Sequence, residues 1–186
     1  MKISYCTTCF GRLWQLKQTI EHNLSFMKSG EFELCVLAYN DGEIEPYLKE
    51  HYADYIAYGR LRVKTHYDDY VPVDGSPYAC GYVKNLAHAM GCGEILFNLD
   101  ADNFIDNAHD LLLDLKPNEV IKNINNGDGR SGRIGVYKAM FDKVQGYRDE
   151  GCNDDGDFIR RCLIAGARLK LMDCDITPIA NFLAVR

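Results

Sequence analysis

At 186 residues, with 47% hydrophobic and 26% charged side chains, the chain has the size and composition of one globular domain, which excludes a disordered, collagen-like or coiled-coil protein. The net charge of −6 is spread evenly, 9 basic against 13 acidic residues over positions 1–100 and 12 against 14 over 101–186, without the basic excess of a dedicated nucleic-acid binder. No apolar run approaches the ~20 residues of a membrane span, and Met1-Lys2-Ile3-Ser4-Tyr5-Cys6 reads straight into a strand, so a soluble, cytoplasmic protein is expected.

The alternating, β-rich Ile3–Thr7 predicts a first strand. Leu13, Leu16, Ile20, Leu24 and Met27 recur at helical spacing and predict an amphipathic helix ended by Ser29-Gly30. Phe32–Tyr39 is an apolar run of strand length, stopped by the turn signal Asn40-Asp41-Gly42. An aromatic-rich helix over Pro46–Ile56, a short strand over Leu61–Thr65 and a polar loop over His66–Ser76 follow. Helical period returns over Tyr78–Met90 and stops at Gly91-Cys92-Gly93. Glu94–Leu99 has the strongest buried-strand pattern and runs directly into Asp100-Ala101-Asp102. After a helix over Asp106–Leu115, Glu119–Ile124 and Arg133–Tyr137 predict a strand pair around the loop Asn125–Gly132. Helices over Lys138–Val144 and Asp155–Ala165 and a last strand over Arg168–Met172 complete the chain.

Strands alternating with helices predict an α/β fold with an open, mostly parallel, Rossmann-like sheet flanked by helices and a small antiparallel strand pair. With no repeat or linker, 1–186 reads as a single domain. In such sheets ligands bind at the carboxyl ends of strands, where Thr7-Thr8, Asn40-Asp41-Gly42 and Asp100-Ala101-Asp102 fall.

Two acidic clusters can carry chemistry. Carboxylates at i and i+2 on a strand end, Asp100 and Asp102, can hold a hard divalent cation and leave positions open for a diphosphate. Asp154-Asp155-Gly156-Asp157 heads a helix, where acids complement the dipole, yet a cap does not need three carboxylates, and crowding raises at least one pKa toward that of a working base. Asp41 makes a turn and can accept a hydrogen bond from a base or ribose. The eight cysteines are irregularly spaced. Cys6-Thr7-Thr8-Cys9 has no second pair to complete a zinc site, so reduced, half-buried thiols are expected. A local basic stretch, Arg130, Arg133, Lys138, Lys143 and Arg148 against Asp142 alone, reads first as a solvated face.

The ordered set of motifs resembles the family 2 glycosyltransferases over nearly the whole chain. Ile3–Arg12 followed by a helix is similar to their opening strand and Thr-Tyr-Asn-Arg turn, and Leu34–Gly42 to their strand ending in Asp-Asp-Gly. Lys84-Asn85-Leu86-Ala87 with Ala89-Met90-Gly91, Glu94–Leu99 and Asp100-Ala101-Asp102 resembles their arginine-asparagine helix, glycine, strand and D-x-D block. Gly135–Lys138, Phe141–Tyr147, Asp149-Glu150, Asp154–Phe158 and Arg161 resemble the later block that carries the base.

The resemblance implies a GT-A fold and inverting transfer of a sugar from a nucleotide donor, typically UDP-linked, with Mn²⁺ or Mg²⁺ as cofactor. Thr7 and Arg12 would line the nucleotide pocket, Asp41 would meet uracil or ribose, and Lys84 and Asn85 would sit near base and phosphates. Asp100 would bind ribose or metal, Asp102 the metal. Asp155 would be the general base, with Asp154 orienting the acceptor. Residues 1–102 would form the nucleotide-sugar half and 103–186 the acceptor half.

Three departures stand out. Asp154 replaces the usual Glu, Gln145-Gly146-Tyr147-Arg148-Asp149 adds a residue before the base, and no histidine follows His109, so either Asp173 or Asp175 stands in as a late metal ligand or the metal is held weakly by Asp102 and the diphosphate alone. Glycan acceptors are the family's default. Small relatives occur in viruses, some acting on hydroxymethylated DNA bases, an acceptor the basic stretch would suit and the overall acidity opposes. A sugar nucleotidyltransferase would open with a glycine-rich loop, whereas Cys9-Phe10-Gly11-Arg12 has one glycine. A non-catalytic nucleotide- or glycan-binding module is the remaining alternative. Gly127–Arg133, three glycines flanking two arginines, is expected to order over the donor.

Overall fold

The computed structural model describes residues 3–26, 31–71, 80–124, 130, 132–149 and 154–180. In chain order the elements are β1 Ile3–Cys9, α1 Leu13–Ser25, β2 Phe32–Tyr39, α2 Ile44–His51, α3 Ala53–Ala57, β3 Leu61–His66, α4 Cys80–Ala89, β4 Ile95–Asn98, α5 Ala108–Leu113, β5 Glu119–Asn123, β6 Ile134–Tyr137, α6 Lys138–Lys143, α7 Asp154–Ile164 and β7 Arg168–Met172. The strands form one sheet in the order β3-β2-β1-β4-β6-β5-β7. β6 is antiparallel to both β4 and β5, and every other pairing is parallel.

Strand periodicity sorts the sheet into two cores. β1 sends Ile3, Tyr5 and Cys9 to one face and Cys6 to the other; β2 divides Leu34, Val36 and Ala38 from Leu37 and Tyr39. The first face is covered by Leu16, Ile20 and Leu24 of α1, Ile44 and Leu48 of α2 and Leu112 of α5. The second is covered by Val83 and Ala87 of α4, Met140 and Phe141 of α6 and Phe158, Ile159 and Cys162 of α7. Cys6 and Cys9 therefore point to opposite sides of the sheet, and the seven described cysteines are free thiols. No helix among the described residues is long and apolar enough to cross a membrane.

The predicted helix over Pro46–Ile56 is in fact two, α2 and α3, because Tyr52 leaves helical geometry at φ −130°, ψ 32°. The helix also begins earlier, at Ile44. Pro46 thus sits in the first turn, where its missing N–H has no intrahelical partner to lose. The helix expected from Asp106 starts only at Ala108, since the Asp106 carboxylate is used elsewhere.

That use is a buried ion pair. Arg133, 1% exposed, donates from Nε to Asn103 Oδ1 at 2.6 Å, from Nη1 to Asp106 Oδ2 at 3.0 Å and from Nη2 to the Ile176 carbonyl at 3.2 Å. Asp106 Oδ2 also accepts from the Ile176 amide at 3.1 Å. Arg130 Nη1 donates to the Cys174 carbonyl. Both arginines thus hold the segment after β7, so the basic stretch is not a uniformly solvated face. Of the loop expected to order over the donor, Gly127–Arg133, residues 127–129 and 131 lie outside the described residues.

Replacing Arg133 with Met leaves the Asp106 carboxylate buried without its cation. Breaking a buried pair in this way costs about 3–5 kcal/mol, and urea denaturation of Arg133→Met against wild type is expected to show a loss of that order with an unchanged m-value.

Candidate active site

The carboxyl ends of β1, β2 and β4 face one edge of the sheet, and the reversed β6 begins at the same edge, with Asn98 of β4 opposite Ile134. A cleft of about 410 Å³ opens there, lined by Thr8, Phe10, Arg12, Cys80, Lys84, Asp100, Ala101, Asp154 and Asp155. The turns after β1 and β4, the first turns of α4 and the head of α7 thus meet in one cavity.

Lys84 is the centre of the site. It lies in the second turn of α4 and is 8% exposed; its Nζ donates to Asp155 Oδ1 at 2.6 Å and to Asp154 Oδ2 at 2.7 Å. Burial opposes the ammonium charge, but the carboxylates of Asp155, Asp100 and Asp154 outweigh it and hold the Lys84 pKa well above its ordinary value. Burial pushes the Asp155 carboxyl up to about 6; the Asp154 and Asp100 charges add to the rise while Lys84 opposes it. A carboxylate with that affinity for protons is suited to general-base work near neutral pH.

Asp100 and Asp155 converge. A Cβ built on Gly132 would lie 2.8 Å from Asp100 Oδ2 and 3.5 Å from Asp155 Oδ2, so a glycine here keeps the space between them open. Asn98 Nδ2 donates to Asp100 Oδ1 at 3.2 Å and to the Gly132 carbonyl at 2.9 Å, fixing both. Asp102, 4% exposed, lies beneath: its Oδ1 accepts from Asn103 Nδ2 at 2.6 Å and its Oδ2 is 3.8 Å from Arg12 Nη1. Burial, then the Asp100 charge, raises the Asp102 pKa. Among the described residues no group of three or more His, Cys, Asp or Glu could hold a metal, so neither Asp173 nor Asp175 joins Asp100 and Asp102 as a third ligand.

The other expected residues are distributed as follows. Asp41 joins two turns, accepting from the Gly11 amide through Oδ2 and the Glu43 amide through Oδ1, both at 3.0 Å; Gly11 adopts φ +62° to present that amide. Arg12 lines the cleft. Of the residues expected at the site, Thr7, Asp41, Asn85 and Asp102 are not among those that line the cleft. Thr7 shares the parity of Tyr5 and Cys9 and is buried, and it is Thr8, on the α4 side of the sheet, that reaches the cleft. Asn85 is outside the cleft lining. Its Nδ2 donates to the Tyr147 carbonyl at 2.7 Å and its Oδ1 accepts from the Tyr147 amide at 2.8 Å, clamping the loop that leads toward α7.

Asp157, the third acid of its cluster, pairs with Arg161 at 2.6 Å and Arg160 at 3.0 Å along its own helix. Phe10, Cys80 and Gly132 contribute to the site without having been anticipated as site residues. Strand parity was a usable signal for Thr8; Gly132 carried none, since its value lies in what it leaves vacant.

No protein-family model matches the sequence, and no curated protein matches it. Solved structures do match the fold. TarS 1–349 from S. aureus superposes with a TM-score of 0.69 at 15% identity over 95% of this chain and 59% of that one, and it has also been solved in complex with UDP. The mannosyltransferase PcManGT from Pyrobaculum calidifontis, in complex with GDP-Man and Mn²⁺, gives 0.70 at 11% identity over 92% of this chain and 55% of that one. A nucleotidyl transferase from Methanothermobacter, Mth528, gives 0.63 at 13% identity over 94% of this chain and 88% of that one. The chain thus spans somewhat over half the length of TarS 1–349 and of the mannosyltransferase. Its mixed sheet, flanked by helices and carrying a small antiparallel pair, is the fold of GT-A glycosyltransferases.

Proposed function

We propose that the protein is an inverting glycosyltransferase that moves a sugar from a nucleotide donor, UDP-linked, to an acceptor hydroxyl. The observation that carries this reading is the single cleft in which Asp155, tied to Lys84 and with its pKa near 6, faces Asp100 at the end of β4. In this reading the acceptor O–H donates to Asp155. The acceptor oxygen bonds to the anomeric carbon from the face opposite the diphosphate, and the electron pair of the breaking C–O bond leaves with the nucleoside diphosphate. The proton ends on Asp155. Arg12 offers positive charge to the leaving group.

Asp100, which lines the cleft, would hold a hard divalent cation, Mn²⁺ or Mg²⁺, while Asp102, buried outside the lining, would have to turn from Asn103 and Arg12 to join it. Bound there, such an ion supplies Lewis-acid neutralisation of the departing diphosphate. Residues 1–102 then serve as the nucleotide-sugar half and 103–186, with the base, as the acceptor half of one domain. A glycan or other neutral hydroxyl compound suits the acceptor side better than DNA, since Arg130 and Arg133 are spent on the segment after β7.

A second reading, sugar nucleotidyltransferase, is favoured by the 88% coverage of Mth528. One assay separates the two. Incubation with UDP-, GDP- and CMP-sugars and Mn²⁺ is expected to release nucleotide from a UDP-sugar, and EDTA to abolish release; pyrophosphate formed from a nucleoside triphosphate and a sugar 1-phosphate instead would establish the second reading.

Two further outcomes are expected. Asp155→Asn should lower kcat at least about 10²-fold while UDP affinity, read by calorimetry, is kept. Only the ionised carboxylate accepts a proton, so activity should rise as pH increases through about 6; a rate independent of pH from 5 to 8 would refute Asp155 as the base.

A further inference from the structure

We propose that Lys84 is the positioning residue of the base: its ammonium holds Asp155 Oδ1 and Asp154 Oδ2 so that Asp155 Oδ2 is presented to the gap beside Gly132 and Asp100, where the acceptor hydroxyl is received. This rests on the reading of Asp155 as the base.

The geometry supports a holding role over a phosphate-binding one. Two of the three N–H donors of Nζ are committed to carboxylates at 2.6 and 2.7 Å, and the third faces the neighbourhood of Tyr147, whose ring centroid lies 5.1 Å away. The lysine itself is held. His88 Nδ1 bonds to the Lys84 carbonyl at 2.7 Å, and its ring stacks on Phe141 at 4.9 Å. Asn85 fastens the same turn of α4 to Tyr147, and a Cβ on Gly81 would meet the Arg148 carbonyl at 2.4 Å, so the helix and the 146–149 loop are in close contact. With Asp155 Oδ1 occupied by Lys84, its Oδ2 lies on the Gly132 side, toward Asp100.

Asp154 has a defined part in this arrangement. Asp155 becomes neutral when it takes the acceptor proton, and Asp154 then remains as the counter-ion of Lys84, so the buried ammonium keeps a partner throughout. Asp154 is thereby an anchor for Lys84 as well as part of the cleft wall. The charged and titratable groups facing Asp155 are Lys84 and Cys80 from α4, Asp154 from its own helix, Asp100 after β4 and Tyr147 from the loop after α6.

The test compares Lys84→Met and Lys84→Arg with wild type in UDP binding with Mn²⁺, in steady-state transfer from UDP-sugar across pH, and in the ¹³C titration of the Asp155 carboxyl. Lys84→Met is expected to bind UDP within about threefold of wild type and to lose about 10²-fold or more in kcat. Its acidic limb and the Asp155 titration should both move upward by about a unit or more, because removing a neighbouring cation disfavours the carboxylate. Lys84→Arg should recover much of kcat with the limb near its wild-type position.

Weakened UDP binding with an unmoved limb and an unmoved Asp155 titration would overturn the proposal and give Lys84 to the diphosphate. If Lys84→Met does not fold, Lys84→Gln, which keeps hydrogen-bond donors without the charge, decides: an acidic limb moved upward with UDP binding kept supports positioning, and weakened UDP binding with an unmoved limb overturns it. Absence of wild-type turnover with every donor overturns the base reading and this role together, whereas turnover with an unmoved carboxyl titration overturns the role of Lys84 alone.

Discussion

The site depends on one buried ammonium group between two carboxylates. Asp154 and Asp155 occupy the first turn of α7, where the helix dipole accepts negative charge, but two adjacent acids turned into a protein interior need a cation close by. Lys84 supplies it from a different helix. The requirement that these three charges stay together therefore sets the distance between α4 and α7, and with it the width of the cleft. Arg12 does something similar on a smaller scale beside Asp102. The cleft remains an acidic place even so, with Asp100, Asp154 and Asp155 on its walls against Lys84 and Arg12.

A second buried charge organises what lies behind the cleft. Arg133 enters β6 from the cleft edge and ties together the loop after β4, through Asn103 and Asp106, and the segment after β7, through Ile176. That segment in turn touches the D-x-D turn: the Ile179 amide donates to the Asp102 carbonyl at 2.9 Å. The backbone of Asp102 is thus held by residues more than seventy positions away, and the carboxylate below the cleft inherits its place from an arginine that does no chemistry.

Much of this was legible in the sequence, because strand and helix periods are local. The alternation in Ile3–Thr7, the apolar spacing of α1 and α4 and the run into Asp100 each report their own element. What failed to show was whatever depends on a partner distant in sequence. The pair of strand-end threonines could be resolved only by knowing which face α4 covers, and that choice moves the contact from Thr7 to Thr8. Lys84 and Asn85 were legible as a pair but not as to partner: one residue apart on a helix, they diverge to α7 and to Tyr147. A run of five basic residues carried no sign that one of them would be 1% exposed. The break at Tyr52 was equally hidden within an uninterrupted helical pattern.

The direction of β6 has a bearing on how such a chain can diversify. Because β5 ends and β6 begins at the cleft edge, the connection between them departs from and returns to the neighbourhood of Asp100. The pairing of both strands lies inside the sheet, so its register does not depend on the length of that connection. The opposite rim, where β6 hands over to α6 and the Lys138 amide donates to the Glu94 carbonyl, lies at the other end of the strands from the cleft. Under the function proposed above, the β5–β6 connection is a point at which acceptor preference would vary without disturbing the sheet that carries it.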